Sequence, residues 1–146
     1  MDTAGTVVFR PRMVRAVGYA VAVIMLAALV GGAILIPGFS PLDRAGMVMV
    51  GVLAALFCHL QASVRVVAGP QQLEVRNLFR TRTVTWPEVV GVSFPMGDPW
   101  AHLDLADGST LATWAIQRSD GKRGIADAHR LAALVRERGE APDHEG

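Results

Sequence analysis

The chain has 146 residues, of which 51% are apolar, and a formal net charge of +1. A positive mean hydropathy at this length is a poor description of a wholly water-soluble globule. Residues 63–146 hold ten basic and eleven acidic side chains, which argues against the basic face of a nucleic-acid binder.

The N-terminal residues 1–15 carry Arg10, Arg12 and Arg15 and are expected to be a basic cytoplasmic segment. No charged residue then occurs from Ala16 to Ile36, a run long enough at the helical rise to cross a bilayer core, and residues 16–36 are the first predicted span. A signal peptide is the rival for this run, but its apolar stretch would be shorter and would end at small residues rather than Leu35-Ile36-Pro37. Residues 37–44, opening on Pro37-Gly38 and passing through Ser40, Pro41, Asp43 and Arg44, are expected to be a tight extracytoplasmic loop. The second span is placed at residues 45–64, with Cys58, His59 and Gln61 towards its end. The two form a helical hairpin. Basic residues before the first span and Arg65 after the second place both termini in the cytoplasm of a multi-pass plasma-membrane protein.

Small residues recur at four-residue spacing, as in Gly18 with Ala22, Ala27 with Gly31, Ala28 with Gly32 and Gly51 with Ala55. They suit close packing of the two spans, and a homodimer through these faces is the sharper alternative. His59 is read as an interfacial residue near a helix end. The lone Cys58 leaves no intramolecular disulfide and no cysteine metal site.

Beyond Ser63 the period shortens to two. Val64, Val66 and Val67 read as a strand ended by Gly69-Pro70. Leu73, Val75 and Asn77 alternate with Glu74, Arg76 and Leu78, and a return strand runs from Arg82 to Trp86. The turn between them lacks an Asn-Gly or Asp-Gly pair, so a loop longer than two residues is expected. Trp86-Pro87-Glu88 reads as a corner, Val89 to Phe94 as a strand, and Trp100–Leu105 with Ser109–Ala115 as a hairpin about Asp107-Gly108. The period then becomes helical, with Ile125, Ala128, Leu131, Ala132, Leu134 and Val135 on one face, Ser119 or Asp120 as the cap, and Gly139 as the end. The domain is drawn at 65–139 and a polar, disordered tail at 140–146.

Several segments carry a family resemblance: Phe9-Arg10-Pro11-Arg12, Gly69-Pro70-Gln71-Gln72-Leu73-Glu74-Val75-Arg76-Asn77, Val84-Thr85-Trp86-Pro87-Glu88-Val89-Val90, Phe94-Pro95-Met96-Gly97-Asp98-Pro99-Trp100-Ala101 and Leu103-Asp104-Leu105-Ala106-Asp107-Gly108. In these the chain resembles actinobacterial two-span membrane proteins with a bacterial pleckstrin-homology-like (PH-like) domain. The resemblance implies an α+β fold, in which an N-terminal transmembrane helical hairpin is followed by a PH-like antiparallel β roll with one C-terminal capping helix. It implies no enzymatic activity, and fold alone does not settle function.

No phosphate loop, nucleophile turn or zinc motif is present, so no catalytic residue, metal or cofactor is expected. Asp98, His102, Asp104 and Asp107 lack metal-ligand spacing and read as turn formers and strand residues. Arg76, Arg80 and Arg82 on the first hairpin suit phosphate contact. Trp100, following Asp-Pro, is expected to be the most exposed of the three tryptophans. The leading expectation is a non-catalytic, membrane-anchored interaction module that engages a membrane-protein partner through Trp100 and these arginines. The alternative is a sensor of anionic lipid headgroups or phospho-ligands that uses the three arginines.

Overall fold

The computed structural model describes residues 5–139, and the tail expected at 140–146 lies outside them. The described chain divides into two units. One is the helical segment, residues 12–63, and the other joins the N-terminal segment to everything after residue 63.

In the helical unit, α1 (Arg12–Leu35) and α2 (Pro41–Ala62) are both long and apolar enough to cross a membrane. At the helical rise they measure about 36 and 33 Å. Their outer surfaces display large apolar side chains, among them Val23, Ile24, Leu35 and Leu42. Their facing surfaces use the small residues: a Cβ at Gly51 would meet Leu26 and Leu29, one at Gly32 would meet Met47, and one at Gly18 the Cys58 carbonyl, whereas one at Gly31 would meet open space. Tyr19 Oη meets His59 Nδ1 at 3.1 Å, so the histidine has a partner across the pair as well as a place near a helix end.

The connection is shorter than expected, because Pro41, Asp43 and Arg44 belong to α2. Ser40 caps the helix and Pro41 takes the first turn, where a missing N–H costs nothing. The Asp43 carboxylate accepts from Ser40 N–H (3.0 Å) and Oγ (2.8 Å), which closes a capping box. Arg44 turns to the end of the preceding helix. Its guanidinium donates to the carbonyls of Ala33, Ile34, Ile36 and Phe39, the unpaired acceptors at and beyond the end of α1.

The second unit is a β roll. Strands β1 (Val7–Phe9), β2 (Arg65–Ala68), β3 (Gln72–Arg76) and β4 (Thr81–Thr85) form one antiparallel sheet in that order. Strands β5 (Val89–Ser93), β6 (Trp100–Leu105) and β7 (Thr110–Gln117) form the other. Helix α3 (Lys122–Gly139) packs on β5 and β7. This is the antiparallel roll with a capping helix that the resemblance implies. The β3–β4 connection is four residues long, and Gly108 adopts φ +86° in the β6–β7 turn, as the sequence predicts.

The first strand departs from expectation. Residues 7–9 precede the helical pair yet complete the sheet: Phe9 pairs with Val66 and Val7 with Ala68. Phe9 and Val66 are both buried in the core with Leu73, Val75, Leu103 and Leu131. A three-residue strand is too short to announce itself by alternation. The roll is therefore discontinuous in sequence, with the helical pair inserted between its first and second strands.

Helix α3 buries Gly124, Ala128, Leu131 and Val135, and Ile125 is largely exposed. The expected face holds from Ala128 to Val135, and Gly124 takes the buried position in the first turn in place of Ile125, because a Cβ at 124 would lie 2.0 Å from the Gln117 carbonyl oxygen of β7. Ser119 and Asp120 sit in the preceding 3-10 turn, and the helix opens after Gly121 at φ +61°. At its other end, Arg138 donates to the carbonyls of Ala68 and Gly69 in the β2–β3 turn and of Gly5 ahead of β1. Its guanidinium lies 5.4 Å from the Trp86 ring centroid, and Trp86 Nε1–H donates to the same Gly69 carbonyl at 3.0 Å. One side chain thus joins the N-terminal segment, the first hairpin and the last helix.

Two outcomes test this architecture. A chain in which residues 12–63 are replaced by a short glycine-serine turn should melt cooperatively by circular dichroism, whereas residues 63–139 alone should melt at lower temperature or aggregate; equal stability would show that β1 is dispensable. Gly124→Ala should lower unfolding stability by at least about 2 kcal/mol, while Gly91→Ala, with no neighbour within 4 Å of its Cβ, should stay within about 0.5 kcal/mol.

Candidate functional site

The β3–β4 hairpin holds all three candidate arginines, but its register separates them. Arg76 pairs with Thr81, and Val75 pairs with Arg82. Side chains alternate along a strand and cross-strand partners share a face. Arg82 therefore lies on the side of buried Val75 and Val84, and Arg76 lies on the opposite, outer side. Arg80 is exposed in the intervening loop, and its carbonyl accepts a 2.8 Å hydrogen bond from the backbone N–H of Asn77, the loop's first residue.

Arg82 has acidic company. The Glu88 carboxyl is held below its ordinary value by hydrogen bonds from the Thr85 amide (2.6 Å) and hydroxyl (3.0 Å), with a smaller contribution from the positive charge of Arg82. Asp107 is lowered by the Ser109 hydroxyl and amide, and again in smaller part by Arg82. Arg82 thus works within a charge-balanced corner where the two sheets meet, and Ala106 N–H donates to the Glu88 carbonyl there at 2.8 Å.

Trp100 is half-buried. Its ring meets that of Trp114 with centroids 5.1 Å apart and planes tilted by 32°, an offset aromatic pair. Ala101, Leu103, Thr113 and Ala115 point into the core, so the intervening Trp100 and Trp114 lie on the outer face of the second sheet. Trp86 is the tryptophan packed beneath the terminal helix.

Two loops border the tryptophan pair. Asn77 bridges to β7, with its Nδ2 donating to the Ala112 carbonyl at 2.8 Å and its Oδ1 accepting from Trp114 N–H at 3.2 Å. Sequence alone gives no sign of this role, since Asn77 reads as the end of an alternating strand. Beyond it Phe79 is 79% exposed. On the other side, Arg118 donates to the carbonyls of Asp98 and Pro95 and stacks 4.2 Å from the Phe94 ring centroid, which fixes the loop that carries Met96, 93% exposed. Asp98 Oδ2 and His102 Nε2 are 3.4 Å apart. Among the described residues, no three His, Cys, Asp or Glu side chains gather to hold a metal ion.

The depressed carboxyls set a pH dependence. A group whose pKa is lowered by folding contributes stability above its unfolded value and loses it as pH falls. The urea midpoint of the protein should therefore be level near neutrality and fall as pH drops below 4.5, the ordinary value for Glu88. Glu88→Gln should flatten part of that fall, and an unchanged profile would remove Glu88 from the account.

Comparison with known proteins follows this geometry. The bacterial PH domain family matches residues 63–133, which begin at the end of the helical unit and leave out β1. Uncharacterized proteins of Mycobacterium tuberculosis and Mycobacterium bovis are 36% identical over 135 residues, covering 88% of this chain and 88% of theirs. No solved structure matches. Residues 63–133 are thus a bacterial PH domain, and the chain belongs to one family with these mycobacterial proteins.

Proposed function

We propose that this chain is a non-catalytic, membrane-anchored interaction module. Its two helices cross the plasma membrane as a hairpin, both termini are cytoplasmic, and the PH-like roll engages a protein partner at the membrane face. The pairing of β1 with β2 carries the anchoring part of this reading. Strands before and after the helices share one sheet, so the chain enters and leaves the hairpin on the same side of any membrane it crosses. The arginines flanking the helices support the cytoplasm as that side.

The outer face of the second sheet supports the partner. The Trp100–Trp114 pair, with Phe79 and Met96 on bordering loops, brings together residue types enriched in interface cores. Confinement to the membrane raises the effective concentration of such a surface for membrane-protein partners. PH-like domains are generally non-catalytic, and nothing in the site geometry supplies a nucleophile with a paired base.

A photo-crosslinker at Phe79 in the full-length protein, activated in its native membrane, should capture a discrete partner. Trp100→Ala should weaken that capture, because truncating a hot-spot tryptophan costs about 2 kcal/mol, or roughly thirty-fold in Kd. Capture unchanged by Trp100→Ala, or no discrete product at all, would sink the reading.

A further inference from the structure

The second sheet is set apart by its charge. From Val89 to Gln117 the chain carries Asp98, Asp104 and Asp107 and no lysine or arginine, although the whole protein is net positive. Asp107 lies in the corner where Arg82 helps to lower it. Trp100, His102 and Asp104 alternate with buried Ala101, Leu103 and Leu105 along β6 and so share its outer side. Asp98 joins them through its contact with His102, and its side chain remains 41% exposed.

That outer side holds an open strip. Gly91 of β5 is opposite Asp104, and Ala112 of β7 is opposite His102. A Cβ at Gly91 would meet nothing within 4 Å. The strip therefore runs from Trp100 to Asp104 over small neighbours, about 13 Å at the rise of a strand.

The aromatic end of the strip is built by a bulge. The β6–β7 register steps from Trp100 opposite Gln117 to Ala101 opposite Thr113, which places Trp114, Ala115 and Ile116 in the bulge. Ala115 and Ile116 are both buried in the core, and Trp114 is turned out. Its N–H donates to Asn77 Oδ1 at 3.2 Å, and its carbonyl accepts from Gln117 Nε2 at 2.7 Å. Bulges re-aim side chains, and here bonds from outside the β6–β7 ladder hold Trp114 so that its ring meets Trp100. Arg118 and Arg138 already cover the rings of Phe94 and Trp86; among the described residues, no arginine or lysine lies over Trp100 or Trp114.

We infer that this strip takes an extended basic segment of a partner protein, with one arginine or lysine stacked on the Trp100–Trp114 pair beside Asp98 and a second on Asp104. Tryptophan is the best aromatic face for a cation, and a carboxylate accepts a guanidinium in bidentate fashion. Four residues of extended chain cover about 13 Å, so the two cations stand four positions apart. Membrane proteins concentrate lysine and arginine in the short cytoplasmic segments that flank their spans. A domain held at the cytoplasmic face meets such segments first. The inference rests on the proposed protein-interaction reading and specifies what the partner presents.

The test uses the full-length protein in phosphatidylcholine nanodiscs and a dye-labelled glycine-serine peptide that carries two arginines four positions apart. Fluorescence anisotropy should show saturable binding that added salt weakens. Asp98→Asn/Asp104→Asn should weaken it about five-fold or more, since two exposed ion pairs are lost together. The same peptide with citrulline in place of arginine should bind the wild type no better than that. The control Glu74→Gln/Glu137→Gln removes as much charge from β3 and α3 and should bind as the wild type does. No saturable binding, equal binding of the arginine and citrulline peptides, or equal loss in both variants would overturn the inference. The photo-crosslinker at Phe79 separates it from the interaction reading. Capture that survives Asp98→Asn/Asp104→Asn overturns this inference alone, and the absence of any discrete product in the wild type overturns both.

Discussion

The pairing of β1 with β2 is the contact on which the rest of the molecule depends. It closes the first sheet across an insertion of two long helices and buries Phe9 against Val66. The entropic cost of closing a long loop grows only with the logarithm of its length. Here the insertion is itself ordered: an antiparallel helix pair returns the chain to within about a helix diameter of where it left. The sheet can therefore accept the insertion without a long search for its first strand. Arg138 reinforces the closure from the opposite end of the chain by donating to Gly5, Ala68 and Gly69 together.

Strand register also shapes the charge pattern. The β2–β3 register sets Arg65 opposite Arg76, whereas alternation on the β3–β4 hairpin parts Arg76 from Arg82. The basic charge of the roll is thereby sorted. Arg65 and Arg76 share the outer face of the first sheet, and Arg82 on the other side contributes in smaller part to holding the Glu88 and Asp107 carboxyls low. The aromatic pair lies on a different face and is framed by loops that Asn77 and Arg118 hold in place.

The elements that rest on local pattern were legible in the chain. Long uncharged runs marked both helices, alternating valines and leucines marked β2 to β6, Asp107-Gly108 marked a tight turn, and the helical period marked α3. The start of α2 was misplaced because Pro41 reads as a breaker until Ser40 is recognised as its cap, after which the same proline opens the helix. On α3 only Ile125 gave way, to Gly124, because a glycine carries no hydropathy signal although its missing side chain is what permits contact with β7.

The sequence by itself determined that two apolar helices precede a small antiparallel roll with a capping helix, because hydrophobic period and turn chemistry act over a few residues. It also supplied the arginines and tryptophans from which a binding surface is made. Only the tertiary structure decided that residues 7–9 belong to the roll, that Trp100 stacks on Trp114, and which arginines share a face. Those facts depend on strand register between segments separated by up to about sixty residues, where a shift of one position moves every side chain to the other side of the sheet.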